Sequence, residues 1–152
     1  MITVKQIVKK AGVSRSAFYN YFHDKYHLME KLREKIISKL LAFYEPKNRM
    51  KYLSSKVVTR QICHHVFQYK NFYKHELNQP AQVQWISEML AEKLGEVYGD
   101  KSYAIFAGYG TVGYLTHWIK SNFEMEPEEV ADELLKIGFT NWAKMVKNIA
   151  SH

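Results

Sequence analysis

The feature that most restricts this chain is a pair of helix starts within its first fourteen residues, separated by a single glycine. Thr3 stands three residues before Gln6, which forms a capping box: the hydroxyl accepts from a first-turn N–H, and the Gln6 amide reaches back to the Thr3 N–H. Ile2 and Ile7 flank the box as a hydrophobic staple. The helix so begun reaches about Ala11 and ends at Gly12, which has no Cβ to hinder the left-handed conformation of a helix terminus. Ser14 then caps a second helix, with Val13 and Phe18 as its staple, and that helix continues to Phe22. Two short helices joined by so tight a turn predict a helix-turn-helix.

Helical spacing continues beyond it. Asp24 caps a third helix on which Leu28, Leu32, Ile36 and Leu40 recur every fourth residue, until the break at Glu45-Pro46-Lys47-Asn48. Leu53, Val57 or Val58, Ile62, Val66 and Tyr69 then keep a helical period. Val83, Ile86, Leu90, Leu94 and Val97 do the same after Pro80, and residues 71–79 between these two helices read as a short helix or a turn. From Ser102 to Ile119 no charged residue occurs apart from any charge on His117, and apolar side chains surround the helix on most sides, so it is expected to be buried. A last helix opens with Pro127, Glu128 and Glu129 and repeats Val130, Leu134, Ile137, Trp142, Met145 and Ile149. No stretch alternates with the period of a strand. The expected fold is all-α, with a helix-turn-helix lobe and connecting helix over residues 1–45 and a helical regulatory body over 46–152.

Charge divides the chain in the same way. Eleven of the 22 Lys and Arg residues lie within residues 1–50, against four of the fifteen acids, so the net +7 of the whole chain resides in its first third. The remainder is neutral. Such an asymmetry suits a polyanion-binding end, although charge alone does not separate DNA from RNA or anionic lipid. A single cysteine excludes an internal disulfide framework. The sequence opens on a helix start rather than on a basic and apolar leader, which makes a cytoplasmic location the expectation.

Within residues 3–22, Ile7, Val8, Ala11, Val13, Phe18 and Phe22 form an inner apolar set, leaving Arg15, Ser16, Tyr19 and Asn20 outward on the second helix. Those are the side-chain types that read a major groove. The run from Ile2 to Leu32, with Ala11-Gly12-Val13-Ser14 at the turn, the aromatic-rich Phe18-Tyr19-Asn20-Tyr21-Phe22 and then Lys25, closely resembles the DNA-binding signature of the TetR family. The resemblance implies a repressor-type regulator that binds double-stranded operator DNA. It places Thr3 and Lys5 at the backbone-facing start of the first helix, and Ser14, Arg15, Ser16 and Ala17 facing bases or nearby phosphates. Arg15 is the base reader. Tyr19 and Tyr21 bond phosphates through their hydroxyls, and Lys25 reaches a phosphate from the start of the third helix. Tyr21 has an equal alternative in packing with its aromatic neighbours. Family members ordinarily carry another helix before the capping box, and this sequence starts without it: either the start is truncated, or the lobe is incomplete and leaves part of Ile7, Val8 and Leu28 exposed.

The body is also similar to a TetR-type regulatory domain, most of all over residues 103–123. That likeness implies a homodimer through the last two helices, with Ala104, Gly108, Gly110 and Thr111 as a small-residue surface that packing within one chain explains equally well. It further implies a small apolar effector. Phe67, Tyr69, Phe72, Tyr73, Trp85, Met89, Phe106, Tyr109 and His117 are the candidates to line its pocket, with a cavity-free aromatic core as the alternative. Another reading of the whole is an adaptor that has lost DNA binding and works through a protein partner.

Several other motifs carry little. Gly108-Tyr109-Gly110-Thr111-Val112-Gly113 matches the dinucleotide-binding pattern, but no strand precedes it and the helical period runs through it. The uncharged stretch contains three glycines, three tyrosines and His117, which makes a poor membrane span. Cys63, His64 and His65 are adjacent on a helix and diverge around it, with no further ligand three or four residues away. No nucleophile, base and acid stand in a recognisable constellation. An enzyme, a metal site and a bound cofactor are therefore not expected.

Overall fold

A computed structural model describes residues 1–45 and 55–139. Among these the chain forms eight helices and no strand: α1 (Val4–Ala11), α2 (Arg15–Tyr21), α3 (Lys25–Ala42), α4 (Ser55–Gln68), α5 (Lys70–Glu76), α6 (Pro80–Tyr98), α7 (Lys101–Lys120) and α8 (Pro127–Phe139). The expected Leu53, Trp142, Met145 and Ile149 positions lie outside the described residues. Two compact units result, Met1–Lys39 and the remainder from Leu40, with the division falling inside α3. No helix among the described residues is long and apolar enough to cross a membrane.

In the body, α6 and α7 form an antiparallel pair joined by Gly99 and Asp100. Gly99 takes φ +70° at the end of α6, and the Asp100 carboxylate accepts the Tyr103 N–H to start α7. This cap sets the start of α7 at Lys101, one residue before the uncharged stretch. The pair is close because it is small at the contact: a Cβ on Gly108 would lie 2.8 Å from the Ala91 backbone nitrogen. The α4 helix packs along α8, also antiparallel, with Arg60 Nη2 donating to Asp132 at 3.4 Å and His64 Nε2 2.6 Å from Glu128. Ile62, Val66, Tyr73, Leu90, Leu115 and Val130 are central to the core.

Two expectations need correction. First, α7 is not buried all round: Ala104, Gly108, Val112 and Leu115 face inward, but Phe106 is 70% exposed, and Tyr103, Ile105 and Tyr109 are also exposed. One close partner covers one flank of a helix, and uncharged residues on the other flank are not thereby drawn inside. Second, Leu32 is exposed on α3 whereas Ile36, Ile37 and Leu40 are buried. Steps of four residues overshoot one turn of 3.6, so a stripe of that period drifts around the helix and Ile37 joins it.

Candidate nucleic-acid interface

The N-terminal unit is built by its caps. Thr3 N–H donates to Gln6 Oε1 at 2.8 Å and Gln6 N–H donates to Thr3 Oγ1 at 3.2 Å, completing the capping box of α1. Gly12 takes φ +69° and its N–H donates to the Lys9 and Val8 carbonyls, which reverses the chain. Ser14 Oγ accepts the Ala17 N–H at 3.0 Å to begin α2, and the Asp24 carboxylate accepts the His27 N–H at 2.8 Å to begin α3. Every helix start of the unit thus satisfies a backbone donor with its own side chain.

Packing then sorts the faces of α2. Phe18 is buried and its ring lies 5.4 Å from that of Phe22 and 5.2 Å, edge to face, from that of Tyr19. Arg15, Ser16, Tyr19, Asn20 and Tyr21 are exposed, and Tyr21, at 77%, keeps its hydroxyl in solvent while its ring lies 6.5 Å from that of Phe22. Ala17 is half-buried. Of the expected inner set, Val8 and Phe18 are buried and Ile7 and Phe22 half-buried, but Ala11 and Val13 are exposed. The correction follows from the left-handed glycine between them, which turns the chain away from the core at its two neighbours. Val8 is covered, although an incomplete lobe was expected to leave it partly exposed, while Ile7 and Leu28 are half-buried.

Lys5 is exposed on α1. Lys25 is half-buried, and its ammonium donates to the Ile2 carbonyl at 2.9 Å and lies 5.3 Å from the centre of the Tyr26 ring. It therefore ties the start of α3 to the start of the chain, in addition to carrying a charge beside the Tyr26 ring. Sequence reasoning missed His23 and His27, whose rings stack at 4.9 Å while the His23 N–H donates to His27 Nδ1 at 3.2 Å. Their four-residue spacing was the available signal. On α3, Lys31 pairs with Glu34 at 2.9 Å, and that hydrogen bond and charge hold its ammonium above its ordinary pKa.

The nine proposed pocket residues do not gather around one cavity. Phe72 and Tyr73 are buried, Phe67, Tyr69, Trp85 and Met89 are half-buried, and Phe106, Tyr109 and His117 are exposed. Tyr73 donates or accepts across 3.0 Å with His65 Nε2, and burial pushes its phenol pKa up. It borders an interior void of about 10 Å³, room for a single water. Phe67 stacks on Trp118 with Phe123 against both. Tyr109 borders a groove of about 690 Å³ along α6 and α7. Cys63 is fully buried, and desolvation pushes its thiol up to about 12. The 108–113 segment lies within the unbroken helix α7, without the strand-to-helix turn that a dinucleotide site requires. No group of three or more His, Cys, Asp or Glu side chains among the described residues is arranged to hold a metal ion.

Residues 2–32, which span both helices and the first turns of α3, match the family model of bacterial regulatory proteins, tetR family. No curated protein matches the chain.

Proposed function

We propose, from the likeness of residues 2–32 to the bacterial regulatory proteins of the tetR family, that the chain is a cytoplasmic homodimeric repressor that binds a palindromic operator and is modulated by a small apolar ligand. The observation that carries this reading is the sorting of α2: one buried aromatic anchor, Phe18, behind an exposed face of Arg15, Ser16, Tyr19, Asn20 and Tyr21. Arg15, at the first position of α2, is suited to a bidentate contact with a guanine edge. Ser16 and Ala17 adjoin it at the base edges. Tyr19, Tyr21, Lys5 and Lys25 are suited to phosphates, which position the lobe without reading sequence. The hydroxyls of Thr3 and Ser14 already cap their helices, so their contacts to DNA would be made from a fixed rotamer.

Dimerisation is supported by the exposed Tyr103 and Phe106 on α7, where Gly110 and Gly113 leave open space beside the backbone. Two copies joined there would present two recognition helices to two half-sites. The test is selection from a random duplex library with a salt titration, alongside sedimentation of the free protein. Enrichment of a two-fold-related site by a dimer is the expected result. A folded dimer that enriched no sequence would overturn the reading in favour of an adaptor acting through a protein partner.

A further inference from the structure

The small residues that let α6 and α7 approach also leave a trough beside their seam. Ala91 and Gly95 on α6 face Gly108 and Ala104 on α7, and none of these carries a side chain long enough to fill the flank. The resulting groove of about 690 Å³ falls within the roughly 300–1,000 Å³ range of small-molecule sites. Its surface is predominantly apolar, with Ile105 and Tyr109 forming one wall. The opposite rim carries Glu88 and Glu92, one helical turn apart on α6, against a single ammonium from Lys101. Glu88 accepts a hydrogen bond from Gln84 at 2.8 Å, while Glu92 has no partner among the described residues.

We propose that this groove binds an apolar organic cation, a body of rings or branched hydrocarbon carrying one positive charge. Shape alone would admit a neutral or anionic molecule of the same size, so the choice rests on charge. The whole chain carries +7, and its long-range field favours anions. The groove reverses that sign locally, with two carboxylates against one ammonium, and Tyr109 adds to its lining an aromatic ring, a group whose face attracts cations. As the effector site of a DNA-binding regulator, the groove rests on the function proposed above; as a binding site, it does not.

Tetraphenylphosphonium and tetraphenylborate have nearly the same shape and opposite charge, and calorimetric titration of each into the full chain without DNA separates the terms. The phosphonium is expected to bind one site per chain about tenfold more tightly than the borate, the scale of two screened carboxylate contacts. Glu88→Gln with Glu92→Gln is expected to remove that tenfold preference, and both residues are exposed, so the fold is unaffected. Gly95→Leu, which fills the floor, is expected to abolish binding of both ions. Borate binding as tight as phosphonium binding, or an unchanged phosphonium affinity in the double glutamine variant, would overturn the proposal. So would phosphonium binding confined to monomer, since the groove would then be covered by a second copy. A chain that bound the phosphonium yet selected no DNA would support the site and overturn the regulator reading instead.

Discussion

Helices α2 and α7 are both rich in aromatic residues and both lack acidic ones, yet they sort their side chains by different rules. On α2 polarity decides: Phe18 is buried, while Tyr19 and Tyr21 keep their hydroxyls in water. Where α7 meets α6 size decides: Ala104 and Gly108 are buried at the contact, while Phe106 is 70% exposed. The first rule acts where a short helix is fixed by its own caps and one aromatic anchor suffices. The second acts where two long helices pack and close backbone approach selects the smallest residues for the contact. Function is expected to follow the same division, with sequence readout on the helix sorted by polarity and association or ligand binding on the one sorted by size.

The largest test of the size rule compares two glycines of α7. Gly108→Ala would place a methyl group 2.8–2.9 Å from Ala91 backbone atoms, so the helices must move apart. It is expected to cost about 2–3 kcal/mol in chemical denaturation, as overpacked core sites do. Gly113→Ala meets nothing within 4 Å and is expected to gain about 0.5–1 kcal/mol from helix propensity. Equal effects from the two would remove size as the basis of the α6–α7 contact. A Gly113→Ala variant that was more stable as a monomer yet dimerised less would place that glycine in the contact between copies.

The polarity rule is tested through DNA. Arg15→Ala is expected to relax preference at one base position by about 1–3 kcal/mol, whereas Lys25→Ala should weaken binding to all sequences and lower the salt slope by about 1. Competition binding against single-base operator variants at several salt concentrations distinguishes them. Arg15→Ala acting uniformly on every sequence would assign it to the phosphates. Lys25 also holds the Ile2 carbonyl, so Lys25→Gln, which can keep a hydrogen bond without the charge, separates the tether from the electrostatic role.

What the sequence discloses follows the same two rules. The caps of α1 and α2 at Thr3, Gln6, Gly12 and Ser14 were legible because each depends on neighbours within four residues. The inward turn of Phe18 was legible too, since a staple and a polar opposite face define it locally. The one-sided burial of α7 was not, because it depends on Ala91 of another helix, seventeen positions from Gly108. Nor was the groove, whose floor consists of residues notable only for what they lack. The nine aromatic and polar residues chosen as a pocket were selected by type, and the fold distributes them between core, rim and solvent because aromatic character alone specifies no common face.

A smaller effect probes how far the lobe depends on its caps. Ser14→Ala removes the acceptor of the Ala17 N–H and is expected to cost about 1 kcal/mol. Asp100→Ala removes the corresponding bond to Tyr103 at the start of α7, at a similar cost. The consequences should differ, because α2 spans seven residues and α7 twenty. Hydrogen exchange is expected to show the whole of α2 losing protection in Ser14→Ala, and only the first turn of α7 doing so in Asp100→Ala. Loss of protection throughout α7 would mean that the body, too, is held by its caps.

The smallest expected effect concerns the body alone, at the α4–α8 contact. The helix-start N–H of Glu128 itself, followed by its hydrogen bond with His64, holds the Glu128 carboxyl below its ordinary value of 4.5. A carboxyl depressed by folding stabilises the protein above its ordinary value, and that contribution is lost as pH falls through the lowered one. Glu128→Gln should therefore melt below the parent protein at neutral pH and converge with it in acid. Both side chains are more than half exposed, so solvent screens the pair and the difference is expected on the order of 1 °C. Added salt should shrink the part due to His64 and leave the backbone part, because the charge pair is screened more readily than a short bond at a helix start. A difference that failed to shrink toward acid would show that ionisation of Glu128 does not control the contact between α4 and α8.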